Sequence, residues 1–204
     1  MDMDSTLINE EGIDLLAGFA GIGEQVKNLT TAAMQGQMDF ATSLRARVEL
    51  LSGKSTRFLD QVTASLSFTE GAVETIEDLK DRGWMVGVVS GGFHDVIDAF
   101  LEPLDLDFVR ANRFRTSHDR IEGVLAPIIG PQEKAMALSE FATSFGIPLS
   151  ETVAIGDGAN DIPMIEAAGL GIAFCAKPAL KEVADLCIDE RDFRRVLEVV
   201  LEDD

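Results

Sequence analysis

The sequence predicts an α/β protein with a Rossmann-like parallel sheet as its core and a small helical cap inserted near the N-terminus. Short apolar runs alternate with amphipathic helical stretches along residues 69–204, a pattern typical of a parallel sheet covered on both faces. Residues 8–68 instead show apolar positions at helical spacing. Polar residues directly follow the apolar runs, where open α/β sheets place their ligands.

The N-terminal insertion is expected to be a bundle of amphipathic helices. Three apolar stripes at helical spacing support it: Ile13, Leu16 and Phe19; Phe40, Leu44, Val48 and Leu51; and Phe58, Val62 and Leu66. Asp39 is a plausible N-cap for the second stripe. The chain is therefore predicted to divide into a core of residues 1–7 and 69–204 and a cap of residues 8–68.

The core elements are expected to alternate along the rest of the chain. We predict a helix ending near 83, a strand at 84–89, a helix at 93–101, a β-hairpin within 104–127, a helix at 132–145, a strand at 152–155, a helix ending near 168, and further segments at 171–174, 181–184, 185–188 and 193–201. The run WMVGVV at 84–89 is almost entirely apolar. Such a run suits a strand that is buried on both faces.

Composition excludes several classes of partner. The chain carries 36 acidic and 17 basic residues, a formal net charge of −19, so polyanions such as nucleic acid and anionic membranes are repelled. No apolar run approaches the ~18 residues of a membrane span, and the acidic N-terminus is unlike a secretory signal. We expect a cytoplasmic monomer or homodimer. Cys175 and Cys187 lie outside metal or disulfide patterns and are predicted to be buried thiols.

Two strand ends carry groups suited to binding phosphate and metal. Asp2 and Asp4 stand at i and i+2, so on an extended segment their carboxylates point the same way. Such a pair repels unless a cation bridges it or one member is protonated. Ser90, Gly91 and Gly92 follow the run at 84–89, and glycine N–H groups can approach an anion closely.

A third strand end completes a set of groups for phosphoryl transfer. Asp157, Asn160 and Asp161 lie in the segment GDGAND, and Lys134 opens the preceding helix. Carboxylate oxygens suit Mg²⁺, and a carboxylate can act as nucleophile to form an aspartyl-phosphate. Serine, backbone N–H and lysine groups can stabilise the phosphoryl oxygens as charge redistributes.

These segments resemble a known superfamily. In chain order DMDST, VVSGG, Lys134 and GDGAND are similar to the four motifs of the haloacid dehalogenase superfamily. Within it, GDGANDIPMIEAAGLGIAFCAKP, VVSGGF and SLRARVELL resemble the phosphoserine phosphatase family. The similarity covers essentially the whole chain. It implies Mg²⁺-dependent hydrolysis of O-phospho-L-serine to serine and phosphate, the last step of serine biosynthesis.

The resemblance also implies roles for the core acids. Asp2 is expected to be the nucleophile and Asp4 the general acid and base. Mg²⁺ is expected to be held by Asp2, the main-chain carbonyl of Asp4 and Asp157, with Asp161 in support. The phosphate group is expected to be bound by Ser90, Gly91, Lys134 and Asn160.

The helical cap is expected to recognise the amino-acid part of the substrate. The resemblance assigns the substrate amine to Glu11 and its carboxylate to Arg47, a pairing that suits a zwitterion. Arg45 competes with Arg47 for this role. Met34 and Phe40 are expected to line the closed pocket.

Three alternatives stay open on the sequence. The same site could transfer phosphate to another alcohol such as homoserine, or hydrolyse another small phosphomonoester. The third alternative is a catalytically silent binding protein. Superfamily members carry an apolar strand before the nucleophile, and that strand is absent from this sequence, which begins Met1-Asp2. Without that strand we expect the free energy of unfolding to fall by more than the ~5–15 kcal/mol that is a domain's net stability. We also expect Asp2 to be loosely held. We therefore hypothesise that the natural chain begins earlier.

Overall fold

The computed structural model of the chain describes residues 1–34 and 38–202. Within these two ranges, no helix has the length and apolar character needed to cross a membrane.

The N-terminal third forms helices, as predicted. They are α1 (Gly12–Ala20), α2 (Gly23–Met34), α3 (Phe40–Glu49) and α4 (Leu59–Thr63). Asp39 caps α3 as predicted, because its side chain accepts a hydrogen bond of 2.8 Å from the Thr42 N–H. Leu44 and Val48 of α3 are buried in the apolar core, so the predicted stripe is the face that packs.

The core alternates strands and helices, which confirms the predicted α/β class. Its elements are α5 (Ala72–Asp81), β1 (Gly87–Phe93), α6 (His94–Leu101), β2 (Phe108–Asn112), β3 (Phe114–Ser117), β4 (Arg120–Val124), α7 (Pro131–Phe145), β5 (Val153–Gly156), α8 (Ile162–Ala167), β6 (Leu170–Phe174), α9 (Pro178–Lys181), β7 (Leu186–Ile188) and α10 (Arg194–Glu202). Strand β1 pairs in parallel with β2, and β5, β6 and β7 form a second parallel sheet. The expected hairpin is the antiparallel pair of β3 and β4.

Strand β1 begins and ends later than predicted. It spans Gly87–Phe93 rather than 84–89, and its first paired residue is Gly87, opposite Phe108. The glycines after Ser90 therefore continue the strand, with a register shift between Val89 and Phe93. Pairing with a neighbour, rather than the apolar run, sets the limits of the strand.

Two smaller predictions were wrong near the C-terminus. The segment predicted at 181–184 is instead a helix at Pro178–Lys181, because proline is favoured in the first turn of a helix. The cysteines are free thiols, but Cys175 is half-buried and Cys187 is exposed. Cys187 is exposed because β7 is the outer strand of its sheet.

Met1 and Asp2 lie between the two parallel sheets. The Met1 amine donates to the Gly87 carbonyl at 2.9 Å, and the Met1 carbonyl accepts from the Val89 N–H at 2.9 Å. On the other side, the Asp2 N–H donates to the Ile155 carbonyl at 2.8 Å. Met1 is thus bonded to β1 and Asp2 to β5, contrary to the expectation of a loosely held Asp2.

A second, largely apolar cavity lies between the two sheets, and Met1 is part of its lining. Phe108, Phe141 and Val153 contribute to its lining. Burial lowers the pKa of the Met1 amine to about 6.

Candidate active site

A cavity of about 410 Å³ lies between the cap and the carboxyl ends of β1 and β5. The core contributes Asp2, Asp4, Gly91, Asp157 and Asn160 to its wall, and the cap contributes Glu11, Phe40 and Arg47. The structure therefore brings the predicted chemical groups of the core and the predicted recognition groups of the cap to one space.

Asp2 is buried at the floor of this cavity. One carboxylate oxygen accepts the Met3 N–H at 2.7 Å and lies 2.6 Å from the Lys134 ammonium. Burial raises the pKa of Asp2 well above its usual range, the charge of Asp161 adds to this, and Lys134 opposes it. Because Lys134 contacts Asp2 directly, it supplies the positive charge that compensates this buried carboxylate.

Lys134 joins two buried acids. Its ammonium lies 2.6 Å from a carboxylate oxygen of Asp2 and 2.6 Å from one of Asp161. Burial alone would lower the pKa of Lys134, but the carboxylates of Asp161 and Asp2 together raise it above its ordinary value. The ammonium therefore stays charged behind the cavity floor.

Asp2, Asp157 and Asp161 form an acidic cluster suited to a metal ion. One carboxylate oxygen from each lies within 4.8 Å of the others, and all three side chains are buried. Burial raises the pKa of Asp157, while the charge of Lys177 opposes the rise. Gathered carboxylate oxygens are the donors that hard divalent cations prefer, so these residues fit the predicted metal.

The backbone of the loop after β5 lies close to the Asp161 carboxylate and holds it in place. Its second carboxylate oxygen accepts the N–H of Gly158 at 3.1 Å. A side chain at position 156 would lie 2.5 Å from the Asp161 carboxyl carbon. Glycine at 156 is therefore required for this carboxylate to reach the cluster.

Asp4 connects the cavity floor to the cap. One oxygen accepts the Gly12 N–H at 2.6 Å, and the other accepts the Ser90 hydroxyl at 3.3 Å. Burial raises the pKa of Asp4, and the Gly12 hydrogen bond opposes the rise. A carboxyl that retains its proton more readily than usual is suited to act as a general acid.

Asp2 and Asp4 reach the same cavity, but not along an extended segment as predicted. Residues Met3–Leu7 form a tight turn, in which Ser5 adopts a φ of 55°. The Ser5 hydroxyl donates to the Glu11 carboxylate at 2.8 Å. The turn therefore directs the chain into the cap directly after the two acids.

Among the predicted phosphate-binding residues, Gly91 and Asn160 line the cavity. Ser90 and Lys134 are fully buried beneath it and contact its acids instead. A side chain at position 91 would lie 3.0 Å from the tip of the Phe40 ring, so glycine there allows the cap to close onto β1. The Asn160 amide lies 3.5 Å from an Asp2 oxygen.

The cap places opposite charges on the cavity wall. Burial raises the pKa of Glu11, and the nearby charge of Asp4 adds to the rise. Burial lowers the pKa of Arg47, and the negative charges of Asp14 and Glu11 oppose this lowering. Arg47 lines the cavity and its Nε donates to the Ser43 carbonyl at 3.3 Å.

The structure distinguishes between the two candidate arginines. Arg47 is 9% exposed, whereas Arg45 points to solvent from the same helix. Phe40 is half-buried on the cavity wall, as expected. Met34 ends α2, but its side chain lies outside the described residues.

Sequence reasoning missed Lys177. Its ammonium lies 3.2 Å from an Asp157 oxygen, and its side chain lines the cavity. The residue follows β6, the parallel neighbour of β5, so the available signal was that it comes just after a strand, like the three predicted segments.

Comparison with known proteins gives relatives over nearly the whole chain. A family model for haloacid dehalogenase-like hydrolases matches residues 1–169. The phosphoserine phosphatase of Lactococcus lactis subsp. lactis is 47% identical over 201 residues, which is 98% of this chain and 93% of that protein. That of Methanocaldococcus jannaschii is 46% identical over 200 residues, covering 98% of this chain and 95% of its own.

Solved structures agree with this assignment. A structure described as a phospho-aspartyl intermediate analogue of phosphoserine phosphatase has a TM-score of 0.91 at 46% identity, covering 97% of this chain and 95% of its own. A substrate-bound phosphoserine phosphatase has a TM-score of 0.91 at 45% identity, with the same coverage. Motifs, topology and near-complete coverage agree: the chain belongs to the haloacid dehalogenase-like hydrolases.

Proposed function

We propose that the protein hydrolyses O-phospho-L-serine to L-serine and phosphate, the last step of serine biosynthesis. The observation that carries this proposal is one cavity that joins the buried acids Asp2 and Asp4 to the opposed charges of Glu11 and Arg47. The relatives named phosphoserine phosphatase support the same substrate.

The first half of the reaction uses both acids of the turn. An oxygen of the Asp2 carboxylate attacks phosphorus, and the bond from phosphorus to the serine oxygen breaks. Asp4 gives its proton to that oxygen, so serine leaves as a neutral alcohol. The product is an aspartyl-phosphate on Asp2 and a carboxylate on Asp4.

The second half restores the enzyme. The Asp4 carboxylate takes a proton from a water molecule, whose oxygen attacks phosphorus. The bond between phosphorus and the Asp2 oxygen breaks, phosphate leaves, and Asp2 is again a carboxylate. Asp4 ends the cycle protonated, as it began.

The metal is proposed to be Mg²⁺, held by Asp2, Asp157 and Asp161 with the main-chain carbonyl of Asp4. When bound, Mg²⁺ supplies positive charge to the phosphoryl oxygens and to the cluster of acids. Behind the cavity floor, the Lys134 ammonium contacts both Asp2 and Asp161 and favours their ionised forms.

Phosphate and amino-acid recognition are assigned to different walls. We assign the phosphate to Gly91 and Asn160 on the cavity surface, with Ser90 and Lys134 beneath them. Glu11 is proposed to bind the substrate ammonium and Arg47 its carboxylate, with Phe40 closing the pocket. The role expected for Met34 stays a prediction from the sequence. A fixed cation and a fixed anion in one cavity select a zwitterion over a simple phosphate ester.

The decisive experiment measures phosphate release from a panel of phosphomonoesters with and without Mg²⁺. Preferred, Mg²⁺-dependent turnover of O-phospho-L-serine is expected. Preference for another ester, phosphate transfer to homoserine in place of water, or no turnover of any ester would each favour one of the alternatives given above. The cytoplasmic location and the monomeric or homodimeric state remain predictions, to be tested by fractionation and light scattering.

A further inference from the structure

Lys177 has no part in the chemistry proposed above, yet its side chain lines the cavity. Its ammonium lies 3.2 Å from an oxygen of Asp157, one of the three acids that fit a metal ion. The side chain is about half exposed, at 54%. Its ammonium therefore stands at the wall of the cavity, unlike the buried ammonium of Lys134.

The backbone holds Lys177 at this place. Its N–H donates to the carbonyl of Asp157 at 2.8 Å, and Pro178 begins α9 directly after it. The ammonium lies above Gly158, where an added Cβ would stand 3.6 Å from it. The loops after β5 and β6 are therefore joined at their backbones as well as by the ion pair.

Lys177 lines the same cavity as the cap residue Glu11. Burial alone would lower the pKa of Lys177, but the charges of Asp157 and then Glu11 raise it above its ordinary value. The ammonium thus lies in the field of an acid from the core and of another from the cap. It is placed where the two parts of the protein meet.

The charges around the cavity indicate what this ammonium contributes. Among the described residues, the cavity wall and the cluster beneath it hold the acids Asp2, Asp4, Glu11, Asp157 and Asp161 and the cations Arg47, Lys134 and Lys177. With Asp4 protonated, as the proposed cycle begins, four carboxylates face three cations, which leaves an excess of one negative charge. Without Lys177 the excess would be two.

We propose that Lys177 is a positioning residue that shares Asp157 with the bound metal ion, so that it weakens binding of the cation and strengthens binding of the phosphate group. This inference rests on the proposed function for the presence of both ligands. The Lys177 ammonium holds Asp157 in the cluster, repels a divalent cation that uses the same carboxylate, and attracts a phosphate dianion in the same cavity. The two effects have opposite signs because the two ligands have opposite charges.

Half exposure limits the size of both effects. Charges that interact partly through water are screened, and we expect each affinity to change about fivefold. A structural role alone would change both affinities in the same direction or leave both unchanged. The signs of the two changes therefore carry the test.

The test compares Lys177→Met with the wild-type protein by titration calorimetry. Mg²⁺ is titrated into protein stripped with a chelator, and inorganic phosphate is titrated into protein saturated with Mg²⁺. We expect the variant to bind Mg²⁺ about fivefold more tightly and phosphate about fivefold more weakly. Lys177→Arg, which keeps the charge, is expected to bind both ligands like the wild type.

Two further variants make the result unambiguous. Lys177→Gln removes the charge but keeps a hydrogen-bond donor for Asp157, so its affinities for both ligands should match those of Lys177→Met. It also replaces Lys177→Met in the test if the methionine variant does not fold. Lys181→Met removes a nearby lysine that pairs with Asp189 instead, and it should behave as wild type. Unchanged affinities, changes of the same sign, or equal effects in Lys181→Met overturn the proposal. Neither ligand is phosphoserine, so a different substrate would leave this result intact.

Discussion

Arg47→Ala separates recognition of the amino acid from chemistry at phosphorus. Arg47 is 9% exposed and lines the cavity, and its Nε donates a hydrogen bond to the Ser43 carbonyl. A hydrogen bond that involves a charged group contributes about 1.5–3 kcal/mol. Losing such a contact with the substrate carboxylate should lower kcat/KM for phosphoserine about 10- to 150-fold.

The assay compares phosphoserine with p-nitrophenyl phosphate, which has no carboxylate. The variant should keep most of its activity on the aryl ester, because the core acids are untouched. Arg45→Ala is the matched control, since Arg45 points to solvent on the same helix, and it should change neither rate. Equal losses on both substrates would refute the assignment of Arg47 to the carboxylate.

Three further predictions concern the core. Asp2→Asn should lower turnover at least about 10³-fold, because an amide is a poor nucleophile; a variant with near-normal rates of phosphate release would exclude Asp2 as the attacking group. Lys134→Met leaves the buried acids Asp2 and Asp161 without their cation and should cost about 3–5 kcal/mol in urea unfolding, whereas an unchanged midpoint would contradict the role given to this ion pair. Mg²⁺ at about 100 times its Kd should stabilise the protein by about 2.7 kcal/mol, seen as a higher Tm; the same rise in Asp157→Asn would show that the cation binds elsewhere.

Much of the fold followed from local patterns. The apolar stripe through Leu44 and Val48 predicted a packed helix face, and the helix predicted at 132–145 is α7, which ends at Gly146 with a φ of 72°. The limits of β1 did not follow, because they depend on pairing with Phe108 and its neighbours. An apolar run predicts burial, but hydrogen bonding to a second strand defines where a strand begins.

The composition of the site was predicted better than its layout. Asp2, Asp4, Asp157 and Asn160 meet in one cavity, as motif order and strand ends indicated. Ser90 and Lys134 proved to lie beneath the acids rather than on the cavity wall. The depth of a side chain depends on what covers it, and here the cover comes from the N-terminal turn.

The sequence by itself determined the class of fold, the order of the motifs and the kind of chemistry, because residue type and local spacing carry that information. Only the tertiary structure decided which charges meet: Arg47 rather than Arg45 at the cavity, Lys134 between two acids, and Lys177 on Asp157. The physical reason is distance along the chain. Asn160 and Asp2 are 158 positions apart yet lie 3.5 Å from each other. They meet because the backbone of Met1 and Asp2 bonds to β1 and β5, and Asn160 follows the carboxyl end of β5.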